Sequence, residues 1–352
     1  MLRLLSVLLF LVAVLELRAQ APAPAASPTS DTLINSMSAA DLQQALQQLK
    51  SSYIKPEALD ETELNRATLA GLLMRLRGGA TLLAQPATDN SQATQPFRGE
   101  LLEGHIGYLR PGALTSANLQ AMDTSLQSFA GKKMDAVVLD LRASGATNDF
   151  AIAAEFTKRF CPKGKTLFTL RKTAVKQERT FASDRDPAFQ GVMIVLADGD
   201  TSGPAEAIAG ALRLYNKALL IGQPTAGRAV EFSDLTLNGG KLLRVAVAEA
   251  VLPENRELFP AGLKPDVPVE MTAAEKRLIF EKSLEGGMAP FVFESERPHL
   301  NEAALLAGKN PEIEALETAQ RRARQAEKPQ PRDAVLQRAI DVVTSLSIYQ
   351  AR

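Results

Sequence analysis

Apolar residues recur at helical spacing toward both ends of this chain, and short apolar runs alternate with helices between them. Ser38, with Asp41 three residues on, precedes Leu42, Ala45, Leu46 and Leu49, a capping box followed by an i, i+3, i+4, i+7 stripe. Tyr53-Ile54-Lys55-Pro56 breaks that helix. Asp60 with Glu63 opens a second one through Leu64, Ala67, Leu72 and Leu76, closed by Gly78-Gly79. From about residue 100 the period changes. Strands are predicted at 106–109, 137–141, 165–170, 192–197 and 218–221. A helix starting at Thr115 or Ser116 carries Leu119, Met122, Leu126 and Phe129, and a helix over 203–215 takes its N-cap from Thr201 or Ser202. Residues 230–237 and 241–247 alternate around Asn238-Gly239-Gly240, the pattern of a hairpin. Strands alternating with helices predict an α/β domain. Beyond it, Thr272 with Glu275 caps one helix. Asp333 starts another, whose buried stripe is Leu336, Ala339, Ile340, Val343 and Leu346.

Composition narrows the function classes. Lys+Arg 40 against Asp+Glu 40 gives a net charge of zero, so no basic field draws in nucleic acid. One cysteine, Cys161, excludes an internal disulfide, and its place after an apolar helix reads as a buried thiol. With that single cysteine and two distant histidines, His105 and His299, neither a metal nor a cofactor is expected. The first residues say where the chain works. Arg3, an apolar run over 4–17 and Arg18-Ala19-Gln20-Ala21 form a secretory signal, too short in its apolar part for a membrane span. The mature protein is therefore expected to be exported, periplasmic or extracellular, with no membrane partner after cleavage. The organisation read from these patterns is a signal over 1–21, a Pro/Ala/Ser-rich spacer over 22–36 and a helical unit over 37–83. A polar linker at 84–99, the α/β core at 100–270 and a helical tail at 271–352 follow. The charged run at 319–328 reads as a solvated helix face.

Residues 197–228, ADGDTSGPAEAIAGALRLYNKALLIGQPTAGR, carry the candidate chemistry: a polar turn after a strand, a helix with Glu206, a second strand and a Gly-Gln-Pro-Thr-Ala-Gly-Arg loop. This stretch resembles the nucleophile-to-base segment of the C-terminal processing, or tail-specific, serine peptidases. In that family the helix start reads Ser-Ala-Ser-Glu, the loop reads Gly-Glu-x-Thr-x-Gly-Lys, and the first Ser and the Lys form the catalytic dyad. Aligned on Glu206, the nucleophile position is Gly203. Aligned on Gly222, Pro224, Thr225 and Gly227, the base position is Arg228, at the family's spacing. A Ser–Lys dyad needs a hydroxyl to attack and a neutral amine to take its proton. Glycine has no hydroxyl, and a guanidinium stays protonated at working pH.

Neighbouring motifs depart in the same direction. Asp140-Leu141-Arg142-Ala143-Ser144-Gly145-Ala146-Thr147 resembles the family's Asp-Leu-Arg-x-Asn-x-Gly-Gly, whose glycine turn supplies an oxyanion N–H; here Ala146 and Thr147 replace the glycine pair. Phe232, with Glu231 beside it, stands where the family often places an orienting Gln. The linker at 84–99 is too short for the PDZ domain that the family usually carries there. The resemblance implies a crotonase/ClpP-like tail-specific protease core. It implies a serine-type peptidase by descent, and the substitutions imply a non-catalytic protein binding a polypeptide or chain terminus in a groove lined by Ala146, Thr147, Ser202, Gly203, Arg228 and Phe232. Two alternatives stand beside it: a serine-type peptidase acting on protein C-termini with Ser202 as fallback nucleophile, and a structural subunit partnering an active relative.

Overall fold

The computed structural model describes residues 29–76, 78–84, 96–132, 134–145, 148–292 and 331–350. The signal, residues 22–28 of the spacer, residues 85–95 of the linker, Ala146, Thr147 and the charged run at 319–328 lie outside the described residues. The chain divides into two units, Met1–Gly71 and Leu72–Arg352. In the first, α1 (Ser30–Ser36) is capped by Thr29, so helix begins where composition led to spacer. Helix α2 (Ala39–Ser52) starts on the expected capping box, with Ser38 and Asp41 exchanging hydrogen bonds at 3.2 Å. Helix α3 (Glu61–Arg75) starts where the Glu63 N–H donates to Asp60 Oδ1 at 2.8 Å. No residue of α1, α2 or α3 is buried, and the predicted stripe of Leu42, Leu46 and Leu49 faces solvent.

The second unit is built on two sheets. Strands β1 (Ala80–Leu83), β2 (Arg98–Leu102), β3 (Ile106–Arg110), β4 (Ala136–Asp140), β5 (Thr166–Lys172) and β6 (Gln177–Ala182) come first. They are followed by β7 (Val192–Ala197), β8 (Leu219–Gly222), β9 (Val230–Thr236), β10 (Leu242–Leu252), β11 (Arg256–Glu257) and β12 (Val267–Pro268). One sheet has the order β12-β8-β7-β4-β3-β2, parallel except for β2 at its edge. Helices α4 (Ser116–Ala130), α5 (Phe150–Lys158) and α6 (Pro204–Asn216) share a core with Val137, Leu139, Met193, Val195 and Leu220 on one face of this sheet. The opposite face presents Val138, Ile194, Leu196 and Ile221 to α7 (Ala273–Gly286) and α8 (Ala334–Gln350). Apolar side chains on both faces explain why these strands read as unbroken hydrophobic runs.

The second sheet has the order β1-β10-β5-β6, with β9 and β11 also on β10. The hairpin β9–β10 is the predicted one. Strand β6 was not predicted: Gln-Glu-Arg-Thr-Phe-Ala is an exposed edge strand with almost nothing to bury. Two boundaries also moved. Ala80–Leu83 is a strand paired with β10 rather than the end of a helical unit, and Arg98 already belongs to β2. In α8, Leu336, Ala339, Ile340 and Val343 are buried as predicted, while Leu346 is exposed. Burying each larger aliphatic side chain here contributes about 2 kcal/mol. Cys161 is buried just past α5, and burial pushes its thiol up to about 12.

Candidate functional site

Strand β7 ends in a turn pinned by its own side chains. The Asp198 N–H donates to Thr201 Oγ1 at 3.1 Å, the Asp200 N–H donates to Asp198 Oδ1 at 2.9 Å, and the Thr201 hydroxyl donates to the Leu141 carbonyl at 3.2 Å. Thr201 thus fastens the β7–α6 turn to the end of β4 and is not the helix cap. Ser202, half-buried, donates to the Gly145 carbonyl at 3.2 Å. A Cβ at Gly145 would collide with the Asp200 carbonyl and the Ser202 hydroxyl, so the two turns touch through backbone.

The N-cap of α6 is Gly203, at φ 59° and ψ −126°. That conformation favours glycine and would strain any side chain. Pro204 follows at the first helical position. It fits there because that position needs no N–H, and as a consequence the residue after Gly203 has none to offer a ligand.

Glu206 binds this turn to the loop after β8. It is fully buried, and its carboxylate accepts four hydrogen bonds. Oε1 takes the Thr225 hydroxyl at 2.5 Å and the Gly227 N–H at 2.7 Å; Oε2 takes the Arg228 N–H at 2.7 Å and the Gly203 N–H at 3.1 Å. Burial pushes this carboxyl up against the downward pull of its donors, and burial prevails. Thr225 Oγ1 in turn accepts from the Leu263 N–H at 2.8 Å, and Gly227 packs so tightly on the Pro260 carbonyl that a Cβ would not fit. Gly203 and Arg228, remote in sequence, are therefore hung from one oxygen atom.

The two arginines of the neighbourhood differ. Arg228 has an exposed side chain, with no hydrogen bond or ion pair among the described residues; its Nε lies beside Gly78. Arg142 is buried. Its Nε and Nη2 donate to Asp140 at 2.9 and 2.7 Å, and its Nη1 and Nη2 donate to Asp333, at the start of α8, at 3.0 and 2.8 Å. Tyr108 donates to Asp140 Oδ2 at 2.8 Å. Burial alone would raise the Asp140 carboxyl, but the Arg142 charge and these hydrogen bonds hold it below the ordinary range. A second tie comes from α7: Lys276 Nζ donates to Asp198 and Asp200 at 2.6 Å each and to the Arg142 carbonyl at 3.1 Å. Burial nevertheless pushes Asp198 up.

Of the residues predicted to line the site, Gly203 and Arg228 meet at the Glu206 clamp, and Ser202, next to Gly203 in the chain, bonds the Gly145 carbonyl instead. Phe232 is half-buried on β9, opposite Ala246, and Ala146 and Thr147 lie outside the described residues. The sequence reading used Glu206 only to set register. It missed Pro204 and Lys276, and it read Asp333 as a helix start without its pairing to Arg142. Pro204 is legible in the motif itself, whereas the ties of Lys276 and Asp333 run from the tail to the core and gave no local signal. Among the described residues no cluster of His, Cys, Asp or Glu is suited to a metal ion.

Residues 105–269 match the family model for Peptidase family S41. A carboxy-terminal-processing protease of Bartonella bacilliformis is 29% identical over 180 residues, 50% of this chain and 41% of its own length. The chloroplastic carboxyl-terminal-processing peptidase 2 of Arabidopsis thaliana is 27% identical over 164 residues, 47% of this chain and 32% of its own. The chain thus spans less than half the length of these two relatives. A solved structure of a photosystem II D1 C-terminal processing protease superposes with a TM-score of 0.42 at 21% identity, over 54% of this chain and 47% of that one. The family match and the curated relatives agree: the α/β core at 105–269 belongs to the C-terminal processing, tail-specific peptidase family S41.

Proposed function

We propose that this chain is an exported, non-catalytic member of its family, a pseudopeptidase that keeps the scaffold and binds a polypeptide. One observation carries the reading: the residues aligned with nucleophile and base, Gly203 and Arg228, are held side by side on Glu206 Oε2, and neither has the required chemistry. Glycine has nothing to attack with, and a guanidinium does not accept a proton at working pH. Removing a serine nucleophile alone costs about 10⁶ in turnover in subtilisin. Pro204 adds a third deficit, because serine hydrolases commonly aim the N–H after the nucleophile at the developing oxyanion. Ser202 is a poor substitute: its proton goes to the Gly145 carbonyl, and no histidine or lysine hydrogen-bonds it among the described residues.

The N-terminal charged and apolar pattern supports export, and no helix among the described residues is long and apolar enough to cross a membrane. The solvent-facing leucines of α2 favour a second role, assembly with an active relative, which light scattering on a mixture of the two would read out. The test of the main reading is a fluorophosphonate probe and an unfolded protein substrate, with Ser202→Ala as control. The expected result is neither labelling nor cleavage by folded protein. Labelling that disappears in Ser202→Ala would overturn it.

A further inference from the structure

The leucines of α2 are exposed among the described residues, Leu42 by 38% and Leu46 and Leu49 by 51% each, on a helix of 14 residues that buries no side chain. A helix of that length is marginal in water even when well capped, so an apolar stripe along it calls for a covering surface. The sequence of α2 says which surface.

Residues 41–50, DLQQALQQLK, read nearly the same in both directions. Leucine mirrors leucine at 42 and 49, glutamine mirrors glutamine at 43 and 48 and again at 44 and 47, and Ala45 mirrors Leu46. The ends mirror in place and oppose in charge, Asp41 against Lys50. Such a helix matches a second copy of itself laid antiparallel, with a two-fold axis passing between residues 45 and 46.

Helix geometry turns the mirror into contacts. At 3.6 residues per turn, Leu42 and Leu49 share one line of the helix, Ala45 and Leu46 flank that line, and Gln44 lies on the far face. In the antiparallel pair Leu42 of each copy meets Leu49 of the other, and the central layer sets two small Ala45 side chains beside two large Leu46 side chains. On the rims, Asp41 comes beside Gln48 of the second copy and Lys50 beside its Gln43, so each charge meets an amide. The acidic first turn of each helix also lies alongside the basic last turn of the other, and the helix dipoles oppose; a parallel pair would set like ends together. Leu69, Leu72 and Leu76, exposed in or just after α3, form a further apolar stripe in the helical segment, so the area on offer is not limited to one helix.

We infer that α2 is a self-association surface: two copies of this chain pair antiparallel through their α2 helices, Leu42 on Leu49, with Ala45 and Leu46 at the two-fold. The pairing is independent of what the core binds or hydrolyses. An active relative could take the same face only by carrying the mirrored pattern itself, whereas a second copy carries it by construction.

The test measures the mass of the full chain by sedimentation equilibrium and reads the orientation by cysteine pairing. The native chain is expected to be a dimer. Leu46→Glu sets two carboxylates against each other at the two-fold and is expected to weaken the dimer at least about 100-fold. Gln44→Glu, on the far face, leaves it intact. Both side chains are exposed in the single chain, so the urea midpoint of the core stays unchanged and loss of the dimer is not loss of the fold. Oxidising an equimolar mixture of Leu42→Cys and Leu49→Cys chains is expected to give a disulfide-linked dimer that neither variant gives alone, because each position lies about 10 Å from its own copy. The native Cys161 is buried and takes no part. A single-chain mass for the native protein overturns the inference, and a mass that rises only when an active relative is added gives the face to that relative. A dimer indifferent to Leu46→Glu overturns the assignment to α2. Cross-linking of Leu42→Cys with itself overturns the antiparallel pairing.

Discussion

Arg142 and Arg228 flank the same turn and have opposite lives. Arg142 is 1% exposed, and its fork is filled by Asp140 and Asp333, one from its own strand end and one from the start of α8. Arg228 is exposed, and only its backbone is tied down. Burying a guanidinium without partners costs several kcal/mol, so the buried arginine must come with its carboxylates. The exposed one carries no such requirement. An arginine kept rigid in its backbone and vacant at its fork has little structural work to explain it, and this contrast separates scaffold from ligand chemistry.

The largest effect should come from breaking the filled fork. Asp333→Ala leaves a buried charge half-compensated and is expected to cost about 4 kcal/mol in urea unfolding. An unchanged midpoint would mean that α8 is not held by this pair. Glu206→Ala should follow, at about 3 kcal/mol, because three backbone N–H groups and a hydroxyl lose their acceptor together.

On Arg142's side of the comparison, acid acts through Asp140. The Asp140 carboxyl is depressed in the folded protein, so its contribution is complete above about 3.9, the ordinary value, and is lost as pH falls through its folded value. The midpoint difference between the protein and Asp140→Asn, measured from pH 6 down to pH 3, should therefore hold steady and then shrink in the acid limb. A drop beginning near neutrality would assign the loss to another group.

Gly203→Ser is smaller, about 1 kcal/mol, since it places a side chain at φ 59°. Even combined with Arg228→Lys it should not react with a fluorophosphonate, because Pro204 still offers no N–H to an oxyanion. The smallest change is Arg228→Gln, within about 0.5 kcal/mol in stability, as befits an exposed side chain without partners. A loss much larger than that would place Arg228 with Arg142 as scaffold and dissolve the contrast.

Much of the architecture was legible in the sequence because it is written in local periodicity. Strands β4 and β7 are buried on both faces and read as apolar runs; α4 and α8 show their stripes. What escaped has physical reasons. Strand β6 is an edge with charged and polar side chains, so no alternation marks it. The cap of α6 was assigned to a hydroxyl, but the backbone there turns through a positive φ that only glycine takes easily, and Thr201 is used by Leu141. The pairs Arg142–Asp333 and Lys276–Asp198 join residues 191 and 78 positions apart, a separation over which no spacing rule acts. The candidate site was found through its motif register, yet the clamp that gives that register its meaning became visible only as hydrogen bonds on Glu206.

Pro204 has a consequence for descent. If activity needs a hydroxyl at 203, an amine at 228 and an N–H at 204, then no single reversion restores any of it, and each of the three changes shelters the other two from selection for hydrolysis. A lineage carrying all three is held on the far side of a ratchet, where mutations around the turn are tried only against what the turn holds.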